Sequence, residues 1–187
     1  MKHALIFLAL LLSACVFDPS RNKRPARLQL GANARHFSAP MSSEVAFRNS
    51  TPPPKVMTES HEAVAATAQF TMGMRHRTYI GGELETGALD SAGSSTAGVY
   101  GVMGIDLPFA AGALGAELAS GWRTVRYSSD TDDLSNVVVE PRLRASVWLS
   151  EQTTLAVTGG MTLDDRPVFM AGVSIGIHSN DYGAWKK

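Results

Sequence analysis

In the stretch NVVVEPRLRASVWLS, residues 136–150, Glu140, Arg142 and Arg144 recur at every second position, opposite Val139, Pro141, Leu143, Ala145 and Val147. Carboxylates and guanidinium groups at that spacing can pair with one another or line a polar ligand pocket. Alternate residues of an extended chain share a face, so the charges must gather on one side of a sheet and the aliphatic groups on the other. Arg75, Arg77, Glu83, Glu85, Asp106, Glu117 and Arg123 hold the same position in neighbouring runs of alternating character. Together these ten side chains are five acids and five bases. An unpaired buried ion costs several kcal/mol, so a narrow enclosure needs nearly that balance. We read the ten as an ion-pair network filling a small lumen, with a polar ligand pocket as the rival reading.

Other chemistry is sparse. Asp130, Asp132 and Asp133 in one loop, and Asp164 and Asp165 in another, could gather a calcium ion, but short acidic loop tips are more often solvated turns. The sequence holds no zinc-ligand spacing, phosphate loop or nucleophile elbow, and no cofactor is expected. His178-Ser179-Asn180 faintly resembles the His-x-Ser-Asn of outer-membrane lipid A deacylases. Neighbours on a strand point to opposite faces, however, and a base and its nucleophile must share one. His76, among apolar positions, fits an interfacial rim better than a catalytic role. The chain is therefore expected to be non-enzymatic, with no catalytic residues.

The N-terminus reads MKHALIFLALLLSAC: a lysine, an uncharged apolar run from Ala4 to Leu12, and small residues before the only cysteine. This run is too short to span a bilayer as a mature helix and has the shape of a secretory signal. Leu12-Ser13-Ala14-Cys15 resembles the bacterial lipoprotein lipobox. That resemblance implies cleavage before Cys15, acylation of the new terminus with palmitate-type chains, and, because Val16 and not Asp follows, delivery to the outer membrane of a Gram-negative cell. A single cysteine in an exported chain has no internal disulfide partner, which agrees with a thioether.

Residues 16–60 carry seven Lys or Arg against three Asp or Glu, and six of the nine prolines. This segment reads as a basic, Pro-rich tether, stiff at TPPPK and largely disordered elsewhere. Arg21, Lys23, Arg24 and Arg27 can reach anionic headgroups. Within it, RLQLGANAR alternates in strand fashion and SEVAFRN offers a shorter candidate. From residue 61 onward nine bases face fourteen acids, and the overall formal charge is zero, so no affinity for nucleic acid is expected.

The elements that must position the charges are strands. Six alternating runs are identified, around residues 66–85, 98–109, 113–127, 136–150, 153–163 and 168–178, each with an aliphatic face and a face of Gly, Thr, Ser and charges. The first is long enough for two strands, but no obvious turn residue divides it. Long connections such as ETGALDSAGSSTAG and SSDTDDLSN alternate with short ones such as AAG and SEQ, the habit of outer-membrane barrels. Gly172-x-x-Ile175-x-Ile177 resembles the C-terminal assembly signal of outer-membrane proteins, although ten residues follow it where an aromatic terminus is usual. Six runs fall short of the eight strands at which single-chain membrane barrels begin, so an eight-strand antiparallel up-and-down β-barrel is expected. The missing pair would come from a split first run, the leader candidates or a partner subunit.

The expected organisation is a signal peptide at 1–14, a lipidated Cys15 with a tether over 15–60, an all-β barrel over 61–180 resembling the OmpA-type membrane domain, and a tail at 181–187. The resemblance implies a lipid-anchored outer-membrane barrel with a structural or surface-interaction role in the cell envelope. Its partners would be outer-membrane lipid, through Cys15, and an envelope protein. The alternatives are a periplasmic β-sandwich or soluble barrel that binds a partner or small ligand, and a lipid A-modifying barrel enzyme.

Overall fold

The computed structural model describes residues 26–40, 58–74, 77–89, 95–126, 134–163 and 167–179. Eight strands follow in chain order: β1 (Ala26–Pro40), β2 (Thr58–Gly73), β3 (Thr78–Leu89), β4 (Ser95–Phe109), β5 (Gly112–Arg126), β6 (Leu134–Trp148), β7 (Thr153–Met161) and β8 (Phe169–His178). Each pairs antiparallel with its sequence neighbours, and β1 pairs with β8, so the sheet closes into an up-and-down barrel. Closure leaves no sheet edge, and every strand finds backbone partners on both sides. The sandwich alternative is thereby excluded.

Two boundaries differ from the sequence reading. The barrel begins at Ala26, not at residue 61: RLQLGANAR lies within β1, inside the segment read as tether, and pairs along its length with both β2 and β8. Proline and charge density mark the flanks of this segment, but the alternation inside it is that of a barrel strand. The long first run does divide, into β2 and β3. Arg77 supplies the turn with φ of 66°, and the Met74 N–H donates to the Thr78 carbonyl at 2.7 Å. Arginine carries no turn signal, and the left-handed conformation costs it about 1–2 kcal/mol relative to glycine. The segment expected to be a signal peptide (residues 1–14), Cys15, SEVAFRN, TPPPK and residues 181–187 lie outside the described residues.

Followed from Leu30 through Ala68, Leu84, Val99, Trp122 and Val137, the register returns to β1 displaced by about ten residues, which tilts the strands by about 40° from the barrel axis. This tilt levels the outer wall. Large apolar side chains cover it from Met72, Ile80, Leu114 and Ile177 at one end to Val64, Trp122, Val137 and Phe169 at the other. At the strand rise and tilt given, they form a band about 20–25 Å tall. His36, Glu62, Ser95, Arg126 and Ser135 are exposed beyond its upper edge, and Arg77, Ser150 and Glu151 beyond its lower edge. The connections at the lower end are short, residues 110–111 between β4 and β5 and 149–152 between β6 and β7, whereas residues 41–57 join β1 to β2 at the upper end.

Packing follows the same division. Leu143 is 72% exposed, Val147 47% and Val173 56%, while Arg142 is 3% and Arg144 4%. What apolar core exists is small and internal, with Tyr79, Tyr100, Val102, Ala119 and Val138 as its main cluster. Space inside is tight: a Cβ on Gly160 would lie 2.8 Å from the Arg142 Cγ, so the absent side chain on β7 makes room for the long one from β6.

Candidate functional site

The interior is a column of charges running the height of the barrel. At the lower end, β1 and β6 direct two arginines at one carboxylate on β4. Arg27 Nη1 lies 2.9 Å from Asp106 Oδ2 and Arg144 Nη2 lies 2.5 Å from Asp106 Oδ1. Both guanidinium groups also lie over the Tyr79 ring, at 4.7 and 5.1 Å from its centroid, where the face of the ring favours a cation. Arg144 Nη1 continues upward to Glu117 Oε2 at 3.2 Å and donates to Gln29 Oε1 at the same distance. The Tyr79 hydroxyl donates to Glu117 at 3.0 Å.

At mid-height Arg142 joins three carboxylates. Its Nη1 and Nη2 take Glu83 in a fork at 2.7 and 2.9 Å, its Nε donates to Glu140 Oε1 at 2.7 Å, and Nη1 lies 3.2 Å from Glu117 Oε1. The planar, two-pronged arrangement suits guanidinium and would not suit lysine. Above it, Arg35 from β1 takes Glu85 through Nε at 2.9 Å and Nη2 at 2.5 Å, and Glu140 through Nη1 at 2.6 Å. Arg123 completes the column as an ion pair with Glu140 at 3.6 Å. Glu140, wholly buried, thus faces three arginines.

Of the ten residues singled out from the sequence, Glu83, Glu85, Asp106, Glu117, Arg123, Glu140, Arg142 and Arg144 are brought together inside the barrel. Arg77 is not: it is exposed at the β2–β3 turn, because that turn ends the alternation that would have pointed it inward. Arg75 lies outside the described residues. The two bases that the count still needs are Arg27 and Arg35, both on β1 and both missed because that segment was read as tether. With them, the buried charged side chains among the described residues are five arginines and five carboxylates. The alternation of RLQLGANAR, which sets Arg27, Gln29, Asn33 and Arg35 on one face, was the signal that would have found them.

The site has no evident catalytic arrangement. Each of the five carboxylates is held by at least one arginine, so none stands open as a base. His178 is buried, with Nε2 2.8 Å from Thr154 Oγ1 and its ring 5.1 Å from that of Trp148, while the Ser179 hydroxyl accepts the Ala26 N–H at 3.0 Å. The two therefore take different partners and do not form a base–nucleophile pair. Among the described residues no group of three or more His, Cys, Asp or Glu is placed to hold a metal. His76, Asp130, Asp132, Asp133, Asp164 and Asp165 lie outside them. A cavity of about 30 Å³ beside the column, lined by residues including Gln29, Gln69, Glu117 and Thr158, is an order of magnitude too small for an organic ligand.

No model of a known protein family matches the sequence. No curated protein matches it either. Solved structures do. The chain is similar to Ail, the attachment invasion locus protein of Yersinia pestis, with a TM-score of 0.54 at 10% identity over 84% of this chain and 99% of that one. It is similar to the N-terminal β-barrel domain of Pseudomonas aeruginosa OprF, with a TM-score of 0.51 at 7% identity over 84% and 100%. Neisserial surface protein A gives 0.50 at 9% identity over 82% and 97%. All three are small outer-membrane β-barrels. At such identities the likeness is one of fold: a closed eight-strand antiparallel barrel that accounts for nearly the whole of each of those chains.

Proposed function

We propose that this chain is an outer-membrane β-barrel, exported by its N-terminal signal, anchored through an acylated Cys15, and acting as a structural or surface-interaction element without catalysis. The observation that carries the reading is the inverted distribution of polarity. Among the described residues twenty-five large apolar side chains are exposed, all but Leu149 and Leu163 on the strands of the outer wall, on the order of 2,000 Å² of greasy surface, whereas a soluble monomer's largest apolar patch is about 300–600 Å². The height of that band, about 20–25 Å, matches the apolar belt of membrane barrels. The two ends of the barrel also differ as membrane insertion requires, with short turns on the side where β1 begins and long connections opposite.

A lumen closed by paired charges supports a structural role over transport. The lipobox supports the anchor, and a strand that starts at Ala26 leaves residues 16–25 to reach from Cys15 to the lower rim. The likeness to Ail and to Neisserial surface protein A, whose names describe attachment and a surface location, supports a role at the cell surface.

Two measurements on the full chain test this. In detergent, the unheated protein is expected to migrate faster than the boiled protein. A Cys15→Ala variant is expected to lose palmitate label yet stay in the membrane fraction through an alkaline wash, because the barrel holds itself there. Release of that variant into buffer would refute the membrane-spanning reading, and an unlabelled wild type would refute the anchor alone.

A further inference from the structure

The strand order sorts the charges outside the lumen between the two ends of the barrel. Residues 16–25, 74–77, 110–111, 149–152 and 179–187 precede β1, join strands at the lower end or follow β8, and carry seven Lys or Arg against three Asp or Glu. Residues 41–57, 90–94, 127–133 and 162–168, which join strands at the upper end, carry three against seven. A chain of zero formal charge therefore holds an excess of four bases below and four acids above.

The lower bases are also gathered to one side. Ala26 pairs with Met72 and Arg27 with His178, so the start of β1, the β2–β3 turn and the end of β8 are neighbours. All seven bases belong to the segments that leave these three points, and the two remaining lower turns carry none. Arg77 is exposed just beyond the lower edge of the apolar band, with φ of 66°. Glycine would hold that conformation with less strain, and strain retained at a charged residue points to a use for the charge.

We propose that this cationic sector of the lower rim binds the headgroups of anionic phospholipids, of the phosphatidylglycerol class, in the leaflet on that side. The inference rests on the outer wall meeting lipid, as proposed above. At physiological salt the Debye length is about 8 Å, so only bases close to the headgroups count, and a turn at the edge of the apolar band sits at that level. The acid-rich upper end gains nothing from the same lipids, so the preference is one-sided. It depends on charge and not on a forked geometry, and lysine therefore serves as well as arginine.

The test is the full chain in phosphatidylcholine nanodiscs with a rising fraction of phosphatidylglycerol, read by amide NMR shifts and by the partition of spin-labelled lipids to the barrel surface. Shifts are expected at Arg77 and Thr78 and not at Ser95 or Ser135, with spin-labelled phosphatidylglycerol enriched over phosphatidylcholine about twofold or more and the excess lost in 1 M salt. Replacing Arg21, Lys23 and Arg24 by glutamine, all before the first strand, should remove about half of the excess or more, whereas Arg21→Lys with Arg24→Lys should keep it. Arg77→Gln should abolish the shift at Thr78. Equal shifts at both ends, an enrichment indifferent to salt or to the glutamine variants, or shifts at the lower rim with soluble peptidoglycan fragments and none with phosphatidylglycerol would overturn the proposal while leaving the inserted barrel intact. A wild type that does not enter nanodiscs of either composition would overturn the membrane-spanning reading and this inference with it.

Discussion

Replacing Glu140 by glutamine removes one charge from the column with almost no change of shape. In the wild type Glu140 accepts from Arg35 Nη1 at 2.6 Å and from Arg142 Nε at 2.7 Å, and pairs with Arg123 at 3.6 Å. Hydrogen bonds to charged groups contribute about 1.5–3 kcal/mol each. The amide oxygen can keep one of them in weakened form, while Arg35 retains Glu85 and Arg142 retains Glu83. The lumen is left with one uncompensated positive charge, and breaking a buried pair in this way costs about 3–5 kcal/mol. With a urea slope near 2 kcal/mol per molar, the unfolding midpoint in vesicles should fall by about 1.5–2.5 M at unchanged slope. Adding Arg123→Gln restores neutrality, so the double variant should be more stable than the sum of the two single losses by about 1–2 kcal/mol. If the lumen were instead filled with bulk water, the charges would already be hydrated and Glu140→Gln would cost under about 1 kcal/mol. A midpoint shift that small, or strictly additive losses, would refute the dry, paired interior.

Further perturbations separate the faces of the wall. Gly160→Ala sets a methyl 2.8 Å from the Arg142 Cγ and the Pro141 carbonyl oxygen, and should destabilise by about 1–3 kcal/mol, whereas Gly159→Ala, whose nearest neighbour would be 3.9 Å away, should be neutral within about 0.5 kcal/mol in the same urea titration. Leu143→Arg puts a charge at mid-height of the outer band and should cost about 2–4 kcal/mol in vesicles, while Thr124→Arg near the upper rim should cost about 0–1 kcal/mol; equal effects would show that the wall is not graded by depth. Arg77→Gly relieves the left-handed turn and should stabilise by up to about 1 kcal/mol, read as a higher midpoint.

The sequence announced the barrel through period-two alternation, since a wall that is apolar outside and polar inside repeats that pattern in every strand. Both faces were correctly divided even across the unrecognised β2–β3 turn, because Gln69, Thr71, Tyr79, Glu83 and Glu85 keep one parity on either side of it. Two local signals misled. Arg77 adopts a conformation its residue type disfavours, and the closed register compensates that cost, so nothing local marks the turn. The Pro-rich surroundings of β1 hid the alternation of its interior, which is that of a barrel strand. Inner-face membership could be read from alternation, but the pairings Arg35–Glu85 and Arg27–Asp106 could not. They join residues 50 and 79 positions apart, and those distances follow from register and tilt, which the pattern of a single strand does not contain.

The paired column also answers how such a wall acquires one register. The outer residues of β5 and β6, among them Leu114, Leu118, Leu143 and Val147, are interchangeable to an apolar medium, and a slip of two residues would keep every one of them outside. The inner face does not tolerate that slip. In the native register Glu117 stands opposite Arg142. Sliding β6 by two residues in one direction brings Glu140 there, against Glu117 and Glu83. Sliding it in the other brings Arg144 to Glu117 but carries Arg142 into the place of Glu140, between Arg35 and Arg123. Either way like charges meet in a space that excludes water, at a cost comparable to breaking a buried pair, about 3–5 kcal/mol. The order of charges along β6, one acid followed by two bases, therefore acts as a ratchet: burial of apolar surface closes the barrel, and the acid–base order inside selects which closure is kept.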